Sequence, residues 1–314
     1  MSSWQQYSIS VPGSIMLLGE HAVLHGESAV VCAVNRRMTV MLTPQQDQRI
    51  IIQSALGEYQ TSPDHLTIEK PFHFVLSAIQ SFEKKIASGF RLDIHSAFSD
   101  SVGLGSSAAV TVATLAVLQQ WLFGKLDLDW LYQMGVQVIR NVQGMGSGAD
   151  VAASVYGGVI DYDPWHQVIK NIDAAPPISL IYSGYKMPTS EVIAYVNQQA
   201  SKAPEYYESL YQAIGRLVKE GVEAILQQDW KRLGVVFNQH QLLQDKLGVN
   251  DDILQKIIDR ARRMPNVLGA KISGSGLGDC IVTIGHVDHG VFVNDGLEEI
   301  EVQVSTEGIK KDES

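Results

Sequence analysis

Between residues 7 and 43 the chain reads as short apolar runs broken by tight connections, which predicts strands. Residues 15–18 are a buried strand stopped by Gly19-Glu20-His21, and the β pattern resumes over 29–34 and 38–42. Residues 49–53 add a strand, as do residues 90–95, where apolar and polar side chains alternate with period two. A helix is expected between these two, over 71–87, with Pro71 in its first turn and Ser88-Gly89 ending it. After a glycine- and serine-rich stretch, 101–107, residues 108–120 contain no Gly or Pro and predict a helix. A second helix is expected near 129–141, a third over 151–156 and a strand over 159–162.

Residues 171–177, with paired prolines, read as a linker. A strand follows over 178–182, and helical patterns dominate at 191–199, 206–228, 230–247 and 252–264. Strands at 267–272, 280–284 and near 299–304 close the chain, and residues 310–314 read as a solvated end. The order is a β-rich α+β first half and a helix-heavy second half, with domains expected over 1–173 and 174–314.

Composition narrows the function classes. The 314 residues are enough for about two domains with substantial cores. With 45% hydrophobic and 18% charged residues the chain is globular, and a net charge of −10 argues against a nucleic-acid partner. That charge also means that an anionic ligand must be held by local features working against the overall field. Cys32 and Cys280 are too few for a disulfide framework, and the histidines lack metal-site spacing. Residues 1–12 lack a signal-peptide pattern and no apolar run approaches the ~20 residues of a membrane span. The expectation is a cytoplasmic protein with no membrane partner.

Three glycine clusters, 103–107, 144–150 and 273–278, each stand at a strand or helix end. None fits the Walker or dinucleotide fingerprints. A strand, a glycine-rich loop and a helix N-terminus suit phosphate, because free N–H groups and the positive end of the helix dipole point at the anion. Ser106 and Ser107 could cap that helix or turn a hydroxyl to a metal-bound phosphate; the stretch alone fits both a capped buried helix and a phosphate cradle. Asp150 opens a helix, as an N-cap or as a base for an attacking hydroxyl. Glu20 and His21 end a buried strand, where polar side chains need a partner or a ligand.

Together these segments carry a resemblance. Pro12-Gly-Ser-Ile-Met-Leu-Leu-Gly-Glu-His-Ala-Val-Leu-His-Gly26 resembles the first motif of the GHMP kinases, in its mevalonate kinase form. Gly103-Leu-Gly-Ser-Ser-Ala-Ala109 resembles the second, and Lys271-Ile-Ser-Gly-Ser-Gly-Leu-Gly278 the third, in the family's order and spacing. The resemblance implies a two-domain α+β fold, N-terminally like ribosomal protein S5 domain 2 and C-terminally ferredoxin-like. It implies an ATP-dependent kinase of a small-molecule hydroxyl, with Mg²⁺, its ligands bound between the domains; members are often homodimers. ATP would meet Gly103, Leu104, Gly105, Ser106, Ser107, Ala108, Gly274, Ser275 and Gly276, with Ser106 and Ser107 also reaching Mg²⁺. Asp150 would be the catalytic aspartate, and Ser14, Glu20 and His21 would join it on the acceptor side.

The chain departs from the mevalonate kinase pattern at Ser14, where a Lys is usual, and at Ile139, where a Glu magnesium ligand is usual. Residues 142–153 are similar to phosphomevalonate kinase instead. Three readings follow: a mevalonate kinase, a phosphomevalonate or other GHMP metabolite kinase, and a non-catalytic binder of nucleotide or metabolite.

Overall fold

The computed structural model describes residues 5–99, 102–166, 168–293 and 296–312. Ser101, in the glycine- and serine-rich stretch, and the last two residues of the tail lie outside them.

The first half is a sheet with helices packed on it. β1 (Tyr7–Leu18) and β2 (Ala29–Pro44) run antiparallel along their length, joined through a turn of 3₁₀ helix, Ala22–His25. β1 is buried on both faces over most of its length, so it reads as a near-continuous apolar run. The far half of β2, open on one face, alternates. β3 (Ile50–Ser54) and β4 (Gly57–Thr61) form a hairpin, and α1 (His73–Gln80) returns the chain to β5 (Phe90–Ser96), which lies between β2 and β3. α2 (Ser106–Phe123), α3 (Leu128–Gln143) and α4 (Ala149–Tyr156) follow. The hairpin β6 (Val159–Asp163) and β7 (Val168–Ile172) then joins the near half of β2.

The second half begins with β8 (Ile178–Lys186) and continues through α5 (Thr189–Lys202), α6 (Pro204–Leu226), α7 (Trp230–Leu247) and α8 (Asp252–Arg262). β9 (Gly269–Ser273), β10 (Gly278–Ile284) and β11 (Glu298–Ile300) complete an antiparallel sheet in the order β11-β8-β10-β9. The chain then crosses back. Val304 bridges Val34, Ser305 N–H donates to Ala33, and β12 (Lys310–Lys311) pairs with β1. The tail expected to be solvated is therefore an edge strand, tied down by Ser8 and Ser10 donating to the Asp312 carboxylate at 3.2 and 3.0 Å.

Other departures have local causes. β4 is polar and exposed, and β7 shows no alternation, so neither announces itself as a strand. The helix expected over 71–87 runs only over α1, because Phe82 turns inward to pack on Trp130 and Phe123. Among the described residues α2 alone is long and apolar enough to cross a membrane, although no such run was expected; it is a core helix buried on nearly every side. Its residues pack between the first sheet and α1, α3 and α4.

A second apolar core spans both halves, with Ile15, Leu17 and Leu18 of β1 beside Val218 of α6, Phe237 of α7 and Val282 of β10. Inside this contact lies a polar joint. Lys271 of β9, fully buried, donates to the Glu20 carboxylate at the end of β1 and to the Ile272 carbonyl at 2.6 Å. Burial pushes Glu20 up and Lys271 down in pKa, and each charge opposes the shift of the other. His240 of α7 accepts from Gly19 N–H at Nε2, 3.1 Å, and burial holds it neutral, so its 3.4 Å approach to Glu20 is a contact and not an ion pair. Ser273 Oγ adds a bond to the Met16 carbonyl, 2.9 Å.

Removing one partner of a buried pair strands the other charge and costs about 3–5 kcal/mol, whereas removing both is far cheaper. Lys271→Met is therefore expected to lose about that much in urea denaturation, and Glu20→Leu/Lys271→Met to recover most of it. A double variant whose loss equals the sum of the losses of Glu20→Leu and Lys271→Met alone would show that the pair is not coupled.

Candidate active site

The loop between β5 and α2 is bent by glycines into the left-handed region, Gly103 at φ +48° and Gly105 at φ +63°. Gly105 is itself the N-cap of α2, so Ser106 and Ser107 occupy its first two positions and do not cap it. A Cβ at Gly105 would stand 2.0 Å from Ser14 Oγ, and one at Gly103 would stand 1.7 Å from Asp279 Oδ1. No larger residue fits this close approach. Gly274 and Ser275, between β9 and β10, face the loop across a cavity of about 550 Å³. The N-termini of α2, α4 and α5 all open onto that cavity, which concentrates positive dipole ends in an acidic chain. Ser275 and Asp279 line it, and Ser275 Oγ and Asp279 Oδ1 have no hydrogen-bond partner among the described residues.

Asp150 reaches the cavity from the first turn of α4. The N-cap there is Gly148, so the capping reading of Asp150 is replaced by another arrangement: Ser14 Oγ donates to Asp150 Oδ1 at 2.8 Å. Ser14 lies on β1 between two irregularities of register, after Pro12 and after Met16, which set its place under the loop. The preceding glycine turn is held by the Tyr162 hydroxyl, which donates to the Ser147 carbonyl at 2.5 Å and lies 3.0 Å from the Tyr132 hydroxyl. Burial raises the Asp150 pKa, offset by the Ser14 hydrogen bond and by the charge of Lys186. Lys186, the last residue of β8, makes a 3.0 Å ion pair with Asp279.

At the far end of β1, His21 adopts φ +61° and donates from Nε2 to the Ser275 carbonyl, 2.8 Å away. Burial lowers its pKa, so the ring is neutral at neutral pH. It thereby links the segment 12–26 to the glycine cluster 273–278 across the joint. Ile139 also faces the cavity and, being aliphatic, offers no ligand to a metal.

The structure brings Gly103, Gly105, Ser106, Ser107, Ala108, Gly274 and Ser275 to one cavity with Glu20, His21 and Asp150. Ser14, Leu104 and Gly276 lie outside its lining. Ser14 is buried against the loop, Leu104 packs in the core, and Gly276 is pressed against Val249. Three charged or polar residues of the region escaped the sequence reading as site residues, His240, Lys271 and Asp279, while Lys186 could be named from sequence as a candidate cation but not placed. Lys271 had a signal, a charge inside an apolar strand, and Asp279 had another, a carboxylate ending a glycine cluster. His240 had none, since it sits in a helix with polar neighbours.

Residues 73–158 match the family model "GHMP kinases N terminal domain" and residues 222–291 the model "GHMP kinases C terminal". A mevalonate kinase of Archaeoglobus fulgidus is 32% identical over 97% of this chain and 99% of its own length. One from Pyrococcus furiosus is 29% identical over 97% and 98%. The solved mevalonate kinase of Methanococcus jannaschii superposes with a TM-score of 0.81 at 21% identity, covering 96% of this chain and 99% of that one. The chain thus belongs to the GHMP kinase family, with the two-domain fold of that family, and is an ATP-dependent kinase that phosphorylates an alcohol.

Proposed function

We propose that the protein is a mevalonate kinase, transferring the γ-phosphoryl group of ATP to the 5-hydroxyl of mevalonate to give 5-phosphomevalonate and ADP. The observation that carries this reading is the Asp150 carboxylate, held by Ser14 in the same cavity as the Gly103–Ser107 loop. The names of the full-length relatives supply the acceptor.

The phosphates lie against the loop and the first turn of α2, where Ser106 and Ser107 present backbone N–H groups. The acceptor lies toward His21 and Glu20, with its hydroxyl beside Asp150. The hydroxyl oxygen bonds to the γ-phosphorus, the bond from that phosphorus to the bridging oxygen of ADP breaks, and the hydroxyl proton passes to Asp150. The cradle fits a Mg·ATP group. Helix N-termini open onto it, Ser275 Oγ is left without a hydrogen-bond partner among the described residues, and the Ser106 and Ser107 hydroxyls on its wall are hard oxygen donors that would hold Mg²⁺. When bound, the ion neutralises phosphate charge.

Asp150→Asn is expected to lower kcat at least about 10²-fold, the low end for acid–base work. Near-normal turnover by the folded variant would remove Asp150 from the chemistry.

Asp150 acts as the carboxylate, so activity is present above its pKa and lost as pH falls through it. Since burial raises that pKa, the acid limb of kcat/KM is expected above the ~3.9 of a free aspartate. A limb at or below that value would contradict the assignment.

With Mg·ATP, ADP release should be faster by at least about tenfold in kcat/KM for mevalonate than for 5-phosphomevalonate, a difference of about 1.4 kcal/mol. The reverse order would reassign the acceptor to the phosphorylated acid, as residues 142–153 resemble.

A further inference from the structure

Two carboxylates, the half-buried Asp150 and the buried Asp279, face the cavity in which a polyphosphate is to bind. Each disfavours the charge of the other, and both repel an incoming anion. Mg²⁺ bound with the phosphates would neutralise part of this charge, and ammonium groups on the cavity wall can balance more of it. Lys70 and Lys186 are the two ammonium groups on the cavity wall among the described residues, with no arginine beside them. Lys70 is exposed at the rim. Lys186 is not: its side chain is 27% exposed and its Nζ stands 3.0 Å from Asp279 Oδ2.

The placement is built into the sheet. Lys186 pairs in register with Gly278 of β10, and the register slips between Gly278 and Cys280. Asp279 is the extra residue, at φ +75°, an unusual conformation for a side-chain-bearing residue. The bulge turns its carboxylate into the space left open at Gly103, so that Asp279 grips Lys186 from the phosphate side. The ammonium is thereby held beside Asp279 on the cavity wall, and its charge is felt at both carboxylates.

We propose that Lys186 is the cation of the transfer step, and that Asp279 is the residue that positions it. This rests on the kinase reading above and deepens it. The Lys186 ammonium supports the negative charge shared by the attacking oxygen, the transferring phosphoryl group and Asp150. The proton of the hydroxyl goes to Asp150, the new bond is from that oxygen to phosphorus, and ADP leaves with the bridging oxygen. The groups facing Asp150 are Ser14 from β1 and Lys186 and Asp279 from the second sheet.

The test uses the full chain with Mg·ATP and mevalonate, comparing wild type with Lys186→Met, Lys186→Arg and Asp279→Asn. Lys186→Met should lower kcat at least about 10²-fold while KM for ATP changes less than about threefold, the mark of an interaction made in the transition state. Its acid limb should move to higher pH, because Asp150 loses a favourable charge. Lys186→Arg, which keeps the charge, should turn over faster than Lys186→Met, and Asp279→Asn should fall between wild type and Lys186→Met. A kcat for Lys186→Met within about threefold of wild type, or equal rates for Met and Arg at this position, would overturn the proposal. A second readout needs no acceptor: ¹³C-carboxyl titration of the folded protein. The Asp150 resonance should titrate higher in Lys186→Met than in wild type, and an unchanged titration overturns the proposal. Wild type that forms no ADP with mevalonate would defeat the acceptor reading alone, and the carboxyl titration would still decide the role of Lys186.

Discussion

The ion pair between Glu20 and Lys271 is the constraint on which the site depends. It is made where β1 of the first half meets β9 of the second, and both side chains are withdrawn from water. A buried pair is poor evidence of stability for its own sake, because desolvation offsets much of the attraction. Its value here is register. A charge left alone in that place is costly, so the two halves can dock only where Glu20 and Lys271 meet. That docking brings Ser275 within reach of His21 and sets Gly274 opposite Gly103. His240 completes the joint as a neutral ring that accepts from Gly19, fixing the turn in which Glu20 stands.

From that joint follows the electrostatic design of the cavity. The chain carries a net charge of −10 and still presents a surface suited to a polyanion. Helix N-termini do part of this with backbone dipoles and without adding net charge. Asp150 and Asp279 work in the opposite sense, and a site built only for tight phosphate binding would have no use for them. Their presence makes sense where a proton must be taken from a hydroxyl beside the phosphate, since a transfer site needs a base where a storage site needs none. Lys186, paired with Asp279 on the cavity wall, brings a positive charge that is felt at both carboxylates.

How much of this could be read from the sequence depended on the kind of signal each residue leaves. The glycine loop before α2 was legible because its composition is unusual, and the helices of the second half because their faces repeat. β4 and β7 were not: one is polar and exposed, the other does not alternate, and strands of this kind are defined by the neighbours they pair with. The tail at Lys310–Lys311 misled for the same reason, since its charges suit an edge strand as well as a solvated end. At the site, Asp150 was found by its place after a glycine turn, but its partner Ser14 lies 136 residues away and no local pattern joins them. Lys186 and Asp279 are paired by a slip of register in the second sheet, which sequence does not display.

Ser14 explains why the cation comes from the far side of the cleft. Its Oγ occupies the place that a Cβ on Gly105 would take, so the phosphate loop rests directly on it. Its backbone is tied to the same loop, Ser14 N–H donating to the Leu104 carbonyl at 3.0 Å. A long side chain at position 14 would have to displace that loop or thread past it, whereas a hydroxyl needs no room beyond its bond to Asp150. β1 can therefore orient the aspartate but cannot also deliver a charge to it while the loop keeps this approach. β8 ends at the opposite wall, where its last residue, Lys186, lines the cavity. In the mechanism we propose, the first half of the chain holds the base, and the second half, docked through Glu20 and Lys271, brings the charge that lets the base work as a carboxylate.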